Sequence, residues 1–429
     1  MEGYLTHIDG VSIREIADRY GTPVSVNSER IIRERCRELK ENINGKIMYA
    51  PKANTLGAVC SIIRDEGLKA EVISKGEAWR ALNAGFDPGD IMLNKDCADR
   101  DELEWCIENE ILVNCGSLQM LRNYGEAVRD LWKHYSHRPS LNAINEVSVR
   151  INPGEGHGHH RKCSTGGLAS KHGIWYTRIP EIKDIAETYA LDIIGVHSHI
   201  GTGVDIGEWL RIIESTMDCA KQFKSLNFVD FGGGLPVPYR PDDERLDIAE
   251  FGKRLDERFE RFCDEYGSPL EMVIEPGRYI VAESGSIITR VEAINETPDY
   301  RFALCDSGFN HLIRPALYGS YHPINVCRHQ ISFLQEDVVV AGPNCESGDV
   351  FTQKDDGTLE PRRLPALNAG DLVVLGNTGA YGETMSSNYC SQLKMPEILI
   401  DMEGGVHLIK EREKEEGLVR GEKLPDYLS

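Results

Sequence analysis

Four stretches of this chain carry side chains with complementary chemistry. Lys52 stands in Tyr49-Ala50-Pro51-Lys52-Ala53-Asn54, directly behind an apolar run, and an amine at the edge of an apolar interior loses hydration and gains nucleophilic character. His197-Ser198-His199-Ile200-Gly201-Thr202-Gly203 offers imidazoles beside small residues, and Gly232-Gly233-Gly234-Leu235 offers a turn whose backbone N–H groups can approach phosphate oxygens. Glu275-Pro276-Gly277-Arg278 adds a carboxylate and a guanidinium. Taken singly, the first three have ordinary readings: a solvent-facing lysine, a structural histidine, a plain glycine turn.

The elements that position these groups make the combination more specific. Eight β-branched runs alternate with helical patterns: Ile47–Ala50, Ala70–Ile73, Asp90–Leu93, Ile111–Asn114, Val147–Ile151, Ile193–His197, Phe228–Phe231 and Met272–Ile274. Intervening stretches such as Ala98–Asn109, Pro180–Ala190 and Ile248–Tyr266 place apolar residues at i, i+3 and i+4. Eight strand-helix repeats predict a (β/α)8 barrel, with a doubly wound sheet as the rival. In a barrel the four stretches fall at the ends of the first, sixth, seventh and eighth strands, on the rim where catalytic groups gather. An amine, an imidazole ring, phosphate-cradling glycines and an acid on one rim form the set that pyridoxal 5′-phosphate requires, with Glu275 as partner of the pyridine nitrogen. His157, His159, His160 and His172 suggest metal ligands, but they lie in a glycine-rich segment without helical i, i+4 spacing, and no metal is expected.

Beyond residue 280 the pattern changes to strand-like segments, Gly285–Ile294, Phe302–Cys305, Asp337–Ala341, Leu372–Leu375 and Glu397–Ile400, separated by Gly, Pro and Asn turns. A β-rich second domain follows. The start of the chain reads as a short amphipathic helix, Ser12–Tyr20, and a strand-like Pro23–Val26 whose partner the pattern leaves open. The charged Lys410–Glu416 reads as a solvated tail. In the β-rich part, Gly342-Pro343-Asn344-Cys345-Glu346-Ser347-Gly348-Asp349 sets a thiol beside carboxylates, against the plain reading of a buried small residue. Gly379-Ala380-Tyr381-Gly382 and Arg314-Pro315-Ala316-Leu317-Tyr318 read as loops with an exposed phenol and guanidinium.

Composition narrows the partners. The 429 residues hold 48 Lys and Arg against 69 Asp and Glu, a net charge of −21, which argues against nucleic acid or an anionic membrane as partner. No run approaches the roughly 18 apolar residues of a membrane span. Met1-Glu2-Gly3-Tyr4 lacks a basic-then-apolar opening, so a cytoplasmic location is expected. Twelve scattered cysteines without a CxxC pair fit a reducing compartment, with at most one thiol of interest.

These motifs resemble those of the fold-type III pyridoxal-phosphate decarboxylases, which act on ornithine, arginine and diaminopimelate, and the resemblance spans nearly the whole chain. Tyr49–Asn54 is similar to the Schiff-base lysine motif, His199–Gly203 to the ring-stacking histidine motif, Gly232–Gly234 to the phosphate loop and Glu275–Arg278 to the family's EPGR motif. Cys345-Glu346 resembles the cysteine-acid pair that reaches a neighbouring subunit's cofactor, and Gly379-Ala380-Tyr381 the tyrosine loop. Arg150–Gly154, Ser164–Gly167, Ser170–Ile174 and Arg314–Tyr318 resemble the diaminopimelate decarboxylase branch in its enterobacterial style.

The resemblance implies an alanine-racemase-like architecture. A 1–25 segment would pack with the β domain, a 26–280 barrel would bind the cofactor, and a 281–429 C-terminal β-sandwich or barrel would follow, in a head-to-tail homodimer with shared active sites. It implies that Lys52 holds the cofactor and His199 stacks on it. Glu71, Arg150, Thr202, Gly234, Glu275, Gly277, Arg278 and Tyr381 would complete the cofactor set. Arg278, Arg314 and Tyr318 would grip a distal carboxylate, Glu346 and Tyr381 would meet the distal amine, and Cys345 or a neighbouring acid would return a proton to carbon. The implied reaction is decarboxylation of meso-2,6-diaminopimelate to L-lysine. Departures from the family pattern at Glu71, Pro51, Thr202, Asn344 and Pro23–Asn27 leave open an antibiotic- or phytotoxin-pathway homologue of the tabtoxin type. Retention of Lys52, His199, Glu275, Cys345 and Tyr381 argues against a non-catalytic regulatory homologue.

Overall fold

The computed structural model describes residues 3–135, 144–155, 166–199, 201, 206–328 and 334–428. The chain folds into two compact units, one comprising Ile32–Val237 and Glu244–Ile280, the other Met1–Ile31, Pro238–Asp243 and Val281–Ser429.

The first unit is a closed parallel barrel. Its strands are Lys46–Tyr49, Lys69–Val72, Ile91–Lys95, Leu112–Cys115, Glu146–Asn152, Asp192–His197, Phe228–Asp230 and Glu271–Ile274. Each runs parallel to the next, and Val273 and Ile274 pair with Lys46 and Ile47 to close the ring. Strands this rich in buried Val, Ile and Met suit a sheet covered on both faces. A two-residue strand, Ile174–Trp175, adds to Ile151 and Asn152 outside the ring.

The helices obey local signals. Ile248–Tyr266 starts where the Asp247 side chain accepts from Glu250 N, ends at Gly267 with φ of 86°, and buries Phe251, Leu255, Phe259 and Phe262. Near the amino ends of the barrel strands, Met48, Met92, Phe228 and Val273 form an apolar plug. A Cβ on Gly195 would lie 2.1 Å from the Phe228 ring, so the bare backbone there makes room for the aromatic. The buried polar side chains Asn94, Asn114, His197 and Asp230 stand nearer the opposite, carboxyl ends of their strands.

The second unit is built around Gly285–Glu296, a 12-residue strand. Its first half pairs antiparallel with Leu372–Gly376 and with Val24–Ser28; its second half pairs with Arg301–Cys305. Val24–Ser28 runs parallel to Glu397–Ile400, which pairs in turn with Val406–Lys410. The strand whose partner the pattern left open is therefore interior to this sheet. The preceding helix, Ile13–Tyr20, sets Ile13 and Ile16 against Val24, Val26, Ile288 and Ile398. Ile324–Cys327, Arg362–Pro365 and Val406–Lys410 are strands that periodicity did not reveal, because four or five residues interrupted by charge carry little alternation.

One expectation is corrected. Lys410–Glu416 is not simply a solvated tail: Lys410 Nζ lies 2.6 Å from Glu383 Oε1, Arg412 donates to Pro23 O at 2.9 Å, and Glu413 accepts from Lys394 N at 3.0 Å. Every one of these partners lies far away in sequence.

Glu397 is buried, and its Oε2 accepts from Asn27 Nδ2 at 3.1 Å. Burial pushes its carboxyl up to about 7, with the Ser25 and Asn27 hydrogen bonds and Lys410 opposing. A carboxyl raised by folding contributes its stability below its unfolded value and loses it as pH rises through the folded one. In urea unfolding between about pH 5 and 8, the wild type should therefore lose roughly 1–3 kcal/mol that Glu397→Gln retains.

Candidate active site

Lys52 sits in the 3-10 turn Pro51–Ala53 that follows the first barrel strand, with Pro51 at the position that needs no N–H. Tyr49 Oη donates to Asn54 O at 2.9 Å, anchoring the far side of the turn. Lys52 Nζ, part exposed, lies 2.9 Å from Oε2 of the fully buried Glu71 on the second strand. Burial and then the charge of Glu275 push the Glu71 carboxyl up to about 7, while Lys52 pulls it down. Glu71 Oε1 is buried without a hydrogen-bond partner among the described residues.

Across the barrel interior, His197, Asp230 and Glu275 converge, all buried. Asn114 Nδ2 donates to His197 Nδ1 at 2.9 Å, which directs the proton to Nε2, 3.5 Å from Glu275 Oε2. Ser148 and Asn94 hold Asn114 through 2.9 Å hydrogen bonds, and Asn94 donates to Glu275 Oε1 at 3.4 Å. Asp230 Oδ1 accepts from Gly232 N at 2.8 Å. Burial opposes ionisation of Glu275, but the Nε2–H of His197 and the charge of Lys52 hold it below the usual carboxylate range. Burial and Glu275 drive Asp230 well above that range. The two shifts point the same way, favouring negative charge on Glu275 and a proton on Asp230. Among the described residues this trio is the group with convergent metal-type ligands. Its members are already bound to one another and to the asparagine ladder.

His199 Nδ1 accepts from Gly233 N at 3.1 Å. Burial, then Arg150 and Lys52, lower its basicity well below the ordinary value, so the ring is neutral and flat. A Cβ on Gly232 would lie 2.6 Å from His199 Nδ1, one on Gly233 would lie 2.3 Å from Glu275 O, and one on Gly277 would lie 3.1 Å from Ala50 Cβ. The first, sixth, seventh and eighth strand ends therefore interlock at backbone distance, as the rim reading requires. Gly234 continues the glycine turn with φ of 110°, and Arg278 opens the helix Arg278–Val281. Arg150 is buried on the fifth strand. Thr202, Ser164, Thr165, His157, His159 and His160 lie outside the described residues. His172 pairs with Asp96, which also accepts from Gly173 N at 2.9 Å.

In the second unit, pattern alone read Arg314 as an exposed loop residue; it is 2% exposed and opens the short helix Arg314–Tyr318. Arg314 Nη1 donates to Tyr239 Oη at 3.2 Å and to His322 Nε2 at 3.0 Å, and His322 Nδ1 faces Gly376 O at 2.9 Å. The carbonyl fixes the histidine tautomer, so Nε2 is free to accept from the guanidinium. Tyr318 ends that same helix and is half-buried. Asp349 accepts from both Asn344 N and Asn344 Nδ2, at 2.7 and 2.9 Å, and so shapes the turn that presents Cys345 and Glu346 to solvent. Glu346 accepts from Tyr389 Oη. Cys345 Sγ is 3.6 Å from Cys390 Sγ, so two thiols, not one, stand out. Tyr381 holds a left-handed backbone conformation with φ of 62°.

The motifs included His197 but gave it no role, and they did not single out Asp230, Asn94, Asn114, Tyr239, His322 or Cys390. The first four had a usable signal, a polar side chain inside or ending an apolar barrel strand. The other three had none, since their partners are distant in sequence.

A barrel with a strand-end lysine, buried acids and a glycine cradle, joined to a sheet unit, is the architecture of fold-type III pyridoxal-phosphate enzymes. Two family models agree: "Pyridoxal-dependent decarboxylase, pyridoxal binding domain" matches residues 29–282, and "Pyridoxal-dependent decarboxylase, C-terminal sheet domain" matches 188–379. The chain belongs to the pyridoxal-dependent decarboxylase family, its cofactor is pyridoxal 5′-phosphate, and it is a carboxy-lyase. It is 38% identical over 428 residues to diaminopimelate decarboxylase of Escherichia coli K12, covering 98% of both chains. With the enzyme of that name from Methanothermobacter thermautotrophicus it shares 38% over 434 residues, covering 98% of this chain and 96% of that one. The solved diaminopimelate decarboxylase of M. jannaschii in complex with L-lysine superposes with a TM-score of 0.87 at 28% identity, covering 99% and 97%. The antibiotic-pathway alternative draws no support from these relatives.

With its proton in place, Asp230 is electrically close to an asparagine. Asp230→Asn should retain the bond from Gly232 N and shift unfolding stability little at pH 7, whereas Asp230→Ala should cost about 1–3 kcal/mol in the same urea titration.

Proposed function

We infer that this chain decarboxylates meso-2,6-diaminopimelate to L-lysine and CO2. The observation that carries the reading is the Lys52 amine, 2.9 Å from buried Glu71 on a rim shared with Glu275 and the glycine turn. The orphaned Oε1 of Glu71 is an acceptor for a donor on a bound group, and Gly234, Gly277 and Arg278 provide N–H donors for a phosphate. When bound, pyridoxal phosphate supplies an aldehyde that condenses with amines and a ring that accepts electrons. Lys52 would hold the aldehyde, and Glu71 keeps the amine oriented. Ionised Glu275 would accept from a protonated ring nitrogen, and the neutral His199 ring gives a flat face without a competing charge. Gly234, Gly277 and Arg278 would hold the phosphate, with Arg150 and Thr202 completing the set.

The second unit supplies most of the substrate recognition. Arg314 would grip the distal carboxylate together with Arg278 and Tyr318, its fork held at one angle by Tyr239 and His322. Glu346 and Tyr381 would meet the distal amine. As the carboxyl bond breaks, CO2 departs and the electron pair stays with carbon, which then takes a proton from Cys345 Sγ or a neighbouring acid. We place this in a head-to-tail homodimer, the second unit of one subunit completing the barrel of the other. A cytoplasmic location belongs to the same reading, supported by free thiols at every described cysteine.

Product analysis tests it. The cofactor-loaded protein should release CO2 and L-lysine from meso-diaminopimelate; turnover of L-ornithine or L-lysine with none of diaminopimelate would overturn the assignment. Lys52→Ala should lose both turnover and the visible absorption of covalently held cofactor. Arg314→Ala should raise KM for meso-diaminopimelate by roughly 10- to 150-fold, equivalent to the 1.5–3 kcal/mol of a charge-assisted hydrogen bond, with a smaller effect on kcat.

A further inference from the structure

We propose that Cys345 and Cys390 form a dithiol site that a hydroperoxide converts to a disulfide. Their Sγ atoms are 3.6 Å apart although the residues are 45 positions apart in sequence, and both are exposed. A disulfide needs about 2.05 Å between sulfurs, so closure requires a movement of about 1.5 Å. Neither thiol lies in a strand that would resist it. Cys345 is in the turn after Gln335–Ala341, and Cys390 is in the irregular turn Tyr389–Ser391, where Cys390 and Ser391 both have φ of 55°.

The two turns are clamped side by side by the residues next to the thiols. Tyr389 Oη donates to Glu346, and the Tyr389 ring meets Phe309 edge-on at 5.2 Å between centroids. The sulfurs stay opposed even though each is exposed. Elsewhere among the described residues, burial pushes Cys36, Cys60 and Cys106 up to about 12, and Cys115 and Cys305 higher still, which leaves them poor nucleophiles. The hydrogen bond to Cys390, before any other influence, raises Cys345 and keeps its proton on sulfur. Either sulfur can open the exchange, and the other then resolves it.

The chemistry balances with peroxide as oxidant. When Cys390 opens it, its sulfur attacks a peroxide oxygen; the S–O bond forms, the O–O bond breaks, and water leaves as peroxide is reduced by two electrons. Cys345 sulfur then attacks Cys390 sulfur; the S–S bond forms, the S–O bond breaks, and the oxygen departs as a second water carrying the Cys345 proton. A dithiol reductant reverses the second bond by exchange. Cys345 has no proton to deliver while the bond is closed, so turnover stops. This last consequence rests on the function proposed above; the disulfide itself does not.

Full-length, cofactor-loaded protein treated with hydrogen peroxide should yield a Cys345–Cys390 cross-linked peptide with a two-hydrogen mass loss. Diaminopimelate turnover should fall in step with two thiols lost per chain and return on adding dithiothreitol. Cys390→Ser should match the wild type before treatment and lose activity reversibly at least about tenfold more slowly. Oxidation of Cys345 to higher acids with no cross-linked peptide would overturn the proposal, as would an unchanged reversible loss in Cys390→Ser. A cross-linked peptide with full activity upholds the dithiol site and overturns instead the proton-donor role of Cys345.

Discussion

A carboxylate ionised inside an eight-strand barrel is the constraint around which the first unit is organised. Taking a charge out of water costs several kcal/mol unless its lone pairs are met. Glu275 meets that demand with His197, with Asn94 and with a second acid that retains its proton. The ladder continues through Asn114 to Ser148, so five of the eight strands give a polar side chain to one network. A half-satisfied network of this kind would be worse than an apolar core. The apolar plug at the other end of the strands is its counterpart: Met48, Met92, Phe228 and Val273 exclude water from the interior in which those hydrogen bonds gain their strength.

The same network explains why the rim is so tightly drawn. Gly232 and Gly233 lie where a single methyl would strike His199 or the backbone of Glu275. Orientation of the acid, of the neutral imidazole and of the phosphate-type cradle is therefore one packing problem rather than three. Preorganised groups of this sort do not have to reorient when charge develops, which is the largest contribution a protein makes to such chemistry. The second unit uses a parallel device on a smaller scale, with a backbone carbonyl setting a histidine tautomer and the histidine setting the angle of an arginine fork.

Much of this was legible in the chain. All eight barrel strands follow from β-branched runs, and the helix over Ile248–Tyr266 follows from its stripe and its caps. The motif residues Lys52, His199, Gly233 and Glu275 could be placed on one rim because the strand ends of a barrel are determined once its strands are counted. The rest depended on separation in sequence. Arg314 gives no sign of burial until Tyr239 and His322 are beside it, and the apparent tail Lys410–Glu416 shows its anchors only when Pro23, Glu383 and Lys394 are near. Local pattern reports on neighbours along the chain, and these residues have theirs across it.

The strand Val24–Ser28 lies between Gly285–Glu296 and Glu397–Ile400. During synthesis it leaves the ribosome early and must wait, unpaired on both edges, while some 250 further residues are made. The second unit is in this sense a discontinuous domain with the barrel inserted into it. The connectivity therefore requires both ends of the chain before this sheet can close, which makes its contacts the most non-local in the molecule.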